Sequence, residues 1–450
     1  MQPAGFRTWL VVCCVVMFAA FSQSAAANTL CVKPGGSPHC YAKIQAAVTA
    51  ASIHDVIHVA PGTYKEDVII GKPLSLIGAG ADSSVIDATG FANGVFVDGL
   101  DNPGLHDVIV AGFTVKSALY EGVLIVSTSD STIRDNHIVN NDQIGPVFGS
   151  GPACKGQPTF ETDESGDCGG GLHLMGTVHS IVSGNFLSGN GDGILISDET
   201  AESHDNLIVH NIATENMLEC GIVLASHPPV GSTGPFYAPH NGVDHNTIFE
   251  NVSSKNGVQV GGAGVGFFSD GNGPGRVSGN VAIRNELTGN GIPGVALHTH
   301  VGPLFGAPAD DMSGNMIIGN FIAGNGPDQA DTATPGTTGI NINSGGGGSP
   351  VYGTIISQNV IRDEEFDIAV NTPAKLDAHL NDLLDGKVGV ANVCALDSTP
   401  CTGTIDATEN FWGCPAGPGS KGCATIYGSS ILFMPWLESP VSDDHGHGKD

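Results

Sequence analysis

Asparagines recur at five-residue intervals in sets of three: Asn206, Asn211 and Asn216; Asn246, Asn251 and Asn256; Asn280, Asn285 and Asn290; Asn315, Asn320 and Asn325. This beat fits neither the 3.6-residue period of a helix nor the two-residue period of a long strand. It suits two short strands of three or four residues, each turning at an asparagine that tolerates a left-handed backbone and bonds its own main chain. A unit that small cannot bury an apolar face alone, so successive units must stack.

Aligned on the beat, units begin at Ser131, Ser180, Asn206, Asn246, Asn280, Asn315 and Thr354, with spacings of 49, 26, 40, 34, 35 and 39 residues. The 26-residue unit is the bare turn. The excess in the others falls before the third strand (142–167, 326–338) or after it (227–243, 302–312, 345–353). That third strand follows a glycine in each unit: Gly122, Gly171, Gly193, Gly221, Gly264, Gly294 and Gly339. A propeller blade would need four antiparallel strands, and a sandwich would lack the asparagine register. The pattern predicts an all-β, single-stranded parallel solenoid with side-loop insertions. Ile44, Ala47, Val48 and Ala51 fall at helical spacing, so a helix over about 40–52 is expected to cap its open end. Residues 375–384 read as a short helix or turn that interrupts the solenoid.

Sixty-five glycines and 14% charged residues argue against a helical protein. Arg7, the uncharged run from Trp9 to Phe21 and the small residues Ala25 to Ala27 read as a signal peptide over 1–27. Past it, no apolar run is long enough to span a membrane. The expected domain is then 28–440, with central repeats over about 122–371, a cysteine-rich end over about 390–440 and a disordered tail over 441–450. Cleavage leaves 15 basic against 45 acidic residues, which disfavours nucleic acid and anionic membrane surfaces as partners. A secreted or periplasmic monomer is expected. In an oxidising compartment four close cysteine pairs would close local loops: Cys31–Cys40, Cys154–Cys168, Cys394–Cys401 and Cys414–Cys423. Cys220 is left over and reads as a buried small hydrophobe.

Two segments carry a family resemblance. The opening Val59-Ala-Pro-Gly-Thr-Tyr-Lys-Glu-Asp-Val-Ile-Ile with Lys72-Pro-Leu-Ser-Leu-Ile-Gly-Ala-Gly, and the closing Ala407-Thr-Glu-Asn-Phe-Trp-Gly-Cys-Pro with Pro435-Trp-Leu-Glu, resemble the pectin-lyase-like right-handed parallel β-helices. Within that superfamily they are most similar to NosD-like, carbohydrate-binding and sugar-hydrolase-type repeat proteins. The resemblance implies the fold and a polysaccharide partner. It does not choose among lyase, hydrolase, esterase, epimerase and non-catalytic members.

Residues one and three after each leading glycine are apolar, so residues two, four and six face outward. Position six reads Thr177, Glu199, His227, Asp270, His300 and Gly345; position four adds Ser197, His298 and Asn343; position two adds His173 and Asn341. With neighbouring strands about 4.8 Å apart, His227, Asp270 and His300 would form one row with Glu199 above. Imidazoles flanking a carboxylate can transfer protons near neutral pH or hold a divalent metal as a cofactor through His227, Asp270 and His300. The same row also reads as an ordinary solvated face. In β-helix lyases and C5-epimerases, as the resemblance implies, a base removes the C5 proton of a uronate. His298 or His300 would be that base, Asp270 its orienter and His227 the partner acid. Glu199, His173, Asn341, Asn343 and Phe268 would line the substrate. The row has no Arg or Lys to neutralise a substrate carboxylate, and Phe268 is its one aromatic. A non-catalytic carbohydrate-binding or surface module, or a NosD-like metal-handling protein, is the alternative.

Overall fold

The computed structural model describes residues 27–144, 169–229, 239–269, 274–299, 302–329, 334, 336–344, 347–393 and 403–441. Each coil lays one strand on each of three parallel sheets of 15, 11 and 12 strands. Thr132–Arg134, His137–Val139 and Leu172–Met175 are one such coil, contributing in turn to the first, second and third sheets. Register carries through the stack without a slip here: Ile133 lies between Val110 and Val182, and Leu174 between Ile125 and Ile196. A short three-stranded ladder, Ser203–His204, Val243–Asp244 and Val277–Ser278, lines the corner entering the first sheet.

The asparagine beat marks the corners. The backbone N–H and side-chain Nδ2 of Asn285 both donate to Oδ1 of Asn320 in the next coil, at 2.9 and 3.0 Å. Nδ2 also donates to the Ile248 carbonyl in the coil before, at 3.0 Å. This pattern repeats along a file from Asn136 through Asn185, Asn211, Asn251, Asn285, Asn320, Asn359 and Asn381 to Asn410. Stacked amides thereby satisfy corner donors that would otherwise be buried without partners.

The middle residue of each short strand points inward and joins one continuous core with positions one and three of the glycine-led strands. Burying each Val, Leu or Ile there contributes roughly 1.5–3 kcal/mol. One α-helix, Ile44–Ala50, places Ile44, Ala47 and Val48 on the end of that core. Lys43 gives it no side-chain cap, and the Glu66 carboxylate accepts the N–H groups of Ile44 and Gln45 instead, at 2.9 and 3.0 Å.

Two expectations are corrected. Residues 374–379 are not a helix or turn: Ala374–His379 is a first-sheet strand paired with Val351–Ser357. Leu376 and Ala378 alternate inward with Lys375 and Asp377 outward, a period of two. The outward positions of the glycine-led strands are also not solvated. Every residue of Val123–Val126, Leu172–Met175, Ile194–Ser197 and Ile222–Ser226 is buried, whereas strands of the other sheets alternate. Outside the third sheet lies a second apolar layer, including Leu195, Cys220, Val223, Ala225, Ala263 and Ala296. Cys220 is free and buried, and burial pushes its thiol well above the ordinary range.

Cys31–Cys40 and Cys414–Cys423 are disulfide-bonded. The pairs Cys154–Cys168 and Cys394–Cys401 lie outside the described residues. Among the described residues no helix is long and apolar enough to cross a membrane.

Candidate active site on the outer face of the third sheet

Stacking brings His173, Ser197, Glu199 and His227 from three consecutive coils onto one face. Glu121, from the coil before His173, completes a buried chain. Its Oε1 lies 3.4 Å from Nδ1 of His173, while its Oε2 accepts the Gly170 N–H at 2.8 Å. Nε2 of His173 meets Oγ of Ser197 at 2.7 Å, and Ser197 donates to Oε2 of Glu199. Oε1 of Glu199 meets Nδ1 of His227 at 2.8 Å. The one hydroxyl proton of Ser197 goes to Glu199, so Nε2 of His173 is the donor in its bond to Ser197. Likewise Nδ1 of His227 carries the proton toward Glu199.

Two adjacent carboxyls have opposite electrostatics. Burial alone would raise Glu199, but His227 by charge and hydrogen bond, His173 by charge and Ser197 by hydrogen bond hold it below the usual carboxylate range. Asp198 is pushed up to about 7 by burial and by Glu199, against the N–H groups of Gly242 and His227. Its Oδ1 accepts the His227 N–H at 2.7 Å, and its Oδ2 accepts Oγ–H of Ser226 at 3.0 Å. Asp198 therefore fixes the backbone on which His227 is mounted.

Further along the same face, past Ala225, lies a second polar group. Phe268 and His298 are register partners whose rings meet edge to face, with centroids 6.0 Å apart. The Asn343 amide donates to Nδ1 of His298 at 2.9 Å. Asn341 and Asn371 are fully buried here, and among the described residues neither the amide nitrogen nor the oxygen of either has a hydrogen-bond partner. Each such atom costs about 1–3 kcal/mol unless water or a ligand pairs with it.

The expected residues thus divide into two sets. His173, Glu199 and His227 share one network; His298, Asn343 and Phe268 share another, with Asn341 beside it. Asp270 and His300, and with them the expected metal set with His227, lie outside the described residues. Glu121 was missed because it precedes its glycine, Gly122, while only positions after the glycine were read. Asp198 was missed because it occupies position five. The acidic pair Asp198-Glu199 at a strand end was the available signal.

The right-handed β-helix region family model matches residues 86–272. The catalytic unit of a thermostable GH87 α-1,3-glucanase from Streptomyces thermodiastaticus strain HF3-3 superposes with a TM-score of 0.55 at 17% identity, covering 93% of this chain and 72% of that one. The chain folds as a right-handed parallel β-helix. The Dettilon tailspike protein resembles this β-helix at a TM-score of 0.53 and 13% identity, over 89% of this chain and 68% of that one. No curated protein matches the β-helix. At these identities the likeness establishes the fold, and the site must be read from its own residues.

Proposed function

We propose that this β-helix is an exported protein that acts on a polysaccharide at the outer face of its third sheet, by proton transfer through His227 and Glu199. The observation that carries this reading is the buried Glu199–His227 pair at 2.8 Å, a carboxylate fixing the tautomer of an imidazole. The similarity to a GH87 α-1,3-glucanase supports a glycan as the substrate class. The disulfides Cys31–Cys40 and Cys414–Cys423 support export, with residues 1–27 proposed as its signal.

For a uronate-bearing chain, Nε2 of His227 takes the C5 proton and the electron pair moves onto the substrate carboxylate. Elimination then expels the C4 oxygen, which is protonated as it leaves; epimerisation returns a proton to the other face of C5. The network has no Lys or Arg, and the amides of Asn341 and Asn371, three and four coils further along the sheet, are donors for other sugars of the same glycan chain. Solvent supplies the proton that goes to the C4 oxygen or back to C5, because His298, held by Asn343, stands two coils along the sheet from His227, roughly 9–10 Å away.

The test is incubation of the mature protein with a panel of uronate polysaccharides, with and without divalent metal. Absorbance of an unsaturated uronate reports elimination, and deuterium uptake at C5 reports epimerisation. His227→Ala is expected to lower either signal at least ~100-fold. Absence of both signals across the panel overturns the reading. One observation favours a second reading, a non-catalytic glycan-binding or surface module: Glu121, His173, Ser197, Glu199 and His227 are each no more than 3% exposed. Glycan binding without turnover, unchanged in His227→Ala, is its expected signature.

A further inference from the structure

The corner entering the first sheet carries a second set of ionisable groups, away from the third-sheet face. Asp107, Asp130, His179, Asp205 and His245 occupy equivalent places in successive coils, each with a left-handed backbone at φ of 54, 53, 56 or close to it. One coil further the file turns to Gly279 and Gly314, with φ of 65 and 68, where the corner needs only the backbone conformation. Fixed backbone and fixed coil spacing leave these side chains little freedom in where they point.

Nδ1 of His204 lies 2.8 Å from Oδ2 of Asp205, and Nε2 of His179 lies 3.7 Å from the same oxygen. One donor atom from each of the three residues falls within 4.8 Å of the others. The two imidazoles stand edge to face, with centroids 5.9 Å apart. Nitrogen and oxygen ligands at about 2.0–2.1 Å around a tetrahedral ion would sit roughly 3.4 Å apart, a value that the two measured separations bracket. Behind His179, Oδ1 of Asp130 lies 4.0 Å from Nδ1, the nitrogen not aimed at Asp205. A carboxylate on the far nitrogen is the usual way of orienting a metal-bound imidazole. The three groups are 58%, 30% and 51% exposed, so an ion reaches them from solvent.

We propose that His179, His204 and Asp205 form a surface site for one divalent first-row transition ion, Zn²⁺ or Cu²⁺, with Asp130 positioning His179. Two imidazoles and a carboxylate suit these borderline ions over Mg²⁺ or Ca²⁺, which take oxygen ligands. The other comparable group among the described residues, Asp377, His379 and Asp406, is a poorer site. It has one imidazole, whose Nδ1 already meets the Thr408 carbonyl at 2.8 Å, and Oδ1 of Asp406 is taken by the Thr408 backbone and hydroxyl.

The mature protein, stripped of metal, should be titrated with Zn²⁺ by calorimetry and with Cu²⁺ by electron paramagnetic resonance. One equivalent is expected, with coupling to two imidazole nitrogens. The double variant His179→Ala/His204→Ala should lose both the heat and the coupling, and the milder His204→Gln should lose one nitrogen. Asp130→Asn should weaken Zn²⁺ by roughly 10-fold while the count stays at two. His445→Ala/His447→Ala, which alters the terminal histidine pair, should change nothing. Binding unchanged in the double variant, binding abolished by the His445/His447 change, or no binding at all would each overturn the site.

Discussion

The first and third sheets are built from the same coils, yet their outer faces are opposites. On the first sheet the outward residues are partly or fully exposed and include apolar ones such as Ile181 and Ile355, each 39% exposed. On the third, from Val123–Val126 through Phe366–Asn371, nearly all outward residues are buried, and they include His173, Ser197, His298, Asn341 and Asn343. The buried carboxyls pushed furthest up cluster there as well. Asp67, at about 6, precedes the strand Val68–Ile70; Asp198, at about 7, follows Ile194–Ser197; Glu364, at about 7, precedes Phe366–Asn371, which itself holds the strongly raised Asp367. Burial is the first cause for each. Polar groups taken out of water need partners, so the third sheet's outer face carries a desolvation cost that the first sheet's does not.

The comparison can be broken most forcefully at Glu199. Glu199→Ala leaves His227 and Ser197 buried without their shared acceptor, and a loss of about 3–5 kcal/mol in urea unfolding is expected. A loss under about 1 kcal/mol would mean that the third-sheet network is no more demanding than the outer face of the first sheet.

Glu364 sharpens it through pH. The third file of corner amides runs from Asn141 to Asn325 and ends on this carboxyl, whose Oε1 accepts both the backbone and side-chain N–H of Asn325. Its folded value is raised, so the native state holds the proton that the unfolded state releases. Stability from this group is present below about 4.5 and falls as pH rises to about 7, by roughly 3 kcal/mol at most. Glu364→Gln supplies an amide there, and its unfolding free energy should decline less between pH 5 and pH 8 than that of the parent. Identical slopes would remove Glu364 from the account.

The smallest effect is expected on the first sheet. Ile181→Thr keeps a β-branched side chain at an outward position, so the change in unfolding free energy should stay within about 0.5 kcal/mol. A larger loss would show that the first sheet's outer face is also covered in solution.

The fold was legible in the chain because its signals are local. Asparagine at a five-residue beat is a corner residue wherever it stands, and a glycine-led run of alternating apolar residues is a strand with a known inner side. The same period-two logic, applied to Leu376 and Ala378, would have recovered the strand Ala374–His379. Grouping His173, Glu199 and His227 on one face was legible too, because coil register turns sequence spacing into adjacency. Alternation says which side of a strand a residue takes, however, and is silent on whether anything covers that side. Only the tertiary structure decided that the third sheet's outer face is buried while the first sheet's is exposed. It alone joined Glu121 to His173, and it alone drew His179 to the neighbouring pair His204-Asp205. These contacts join residues one or more coils apart, where proximity follows from the stacked backbone and from no feature of either residue's neighbours in sequence.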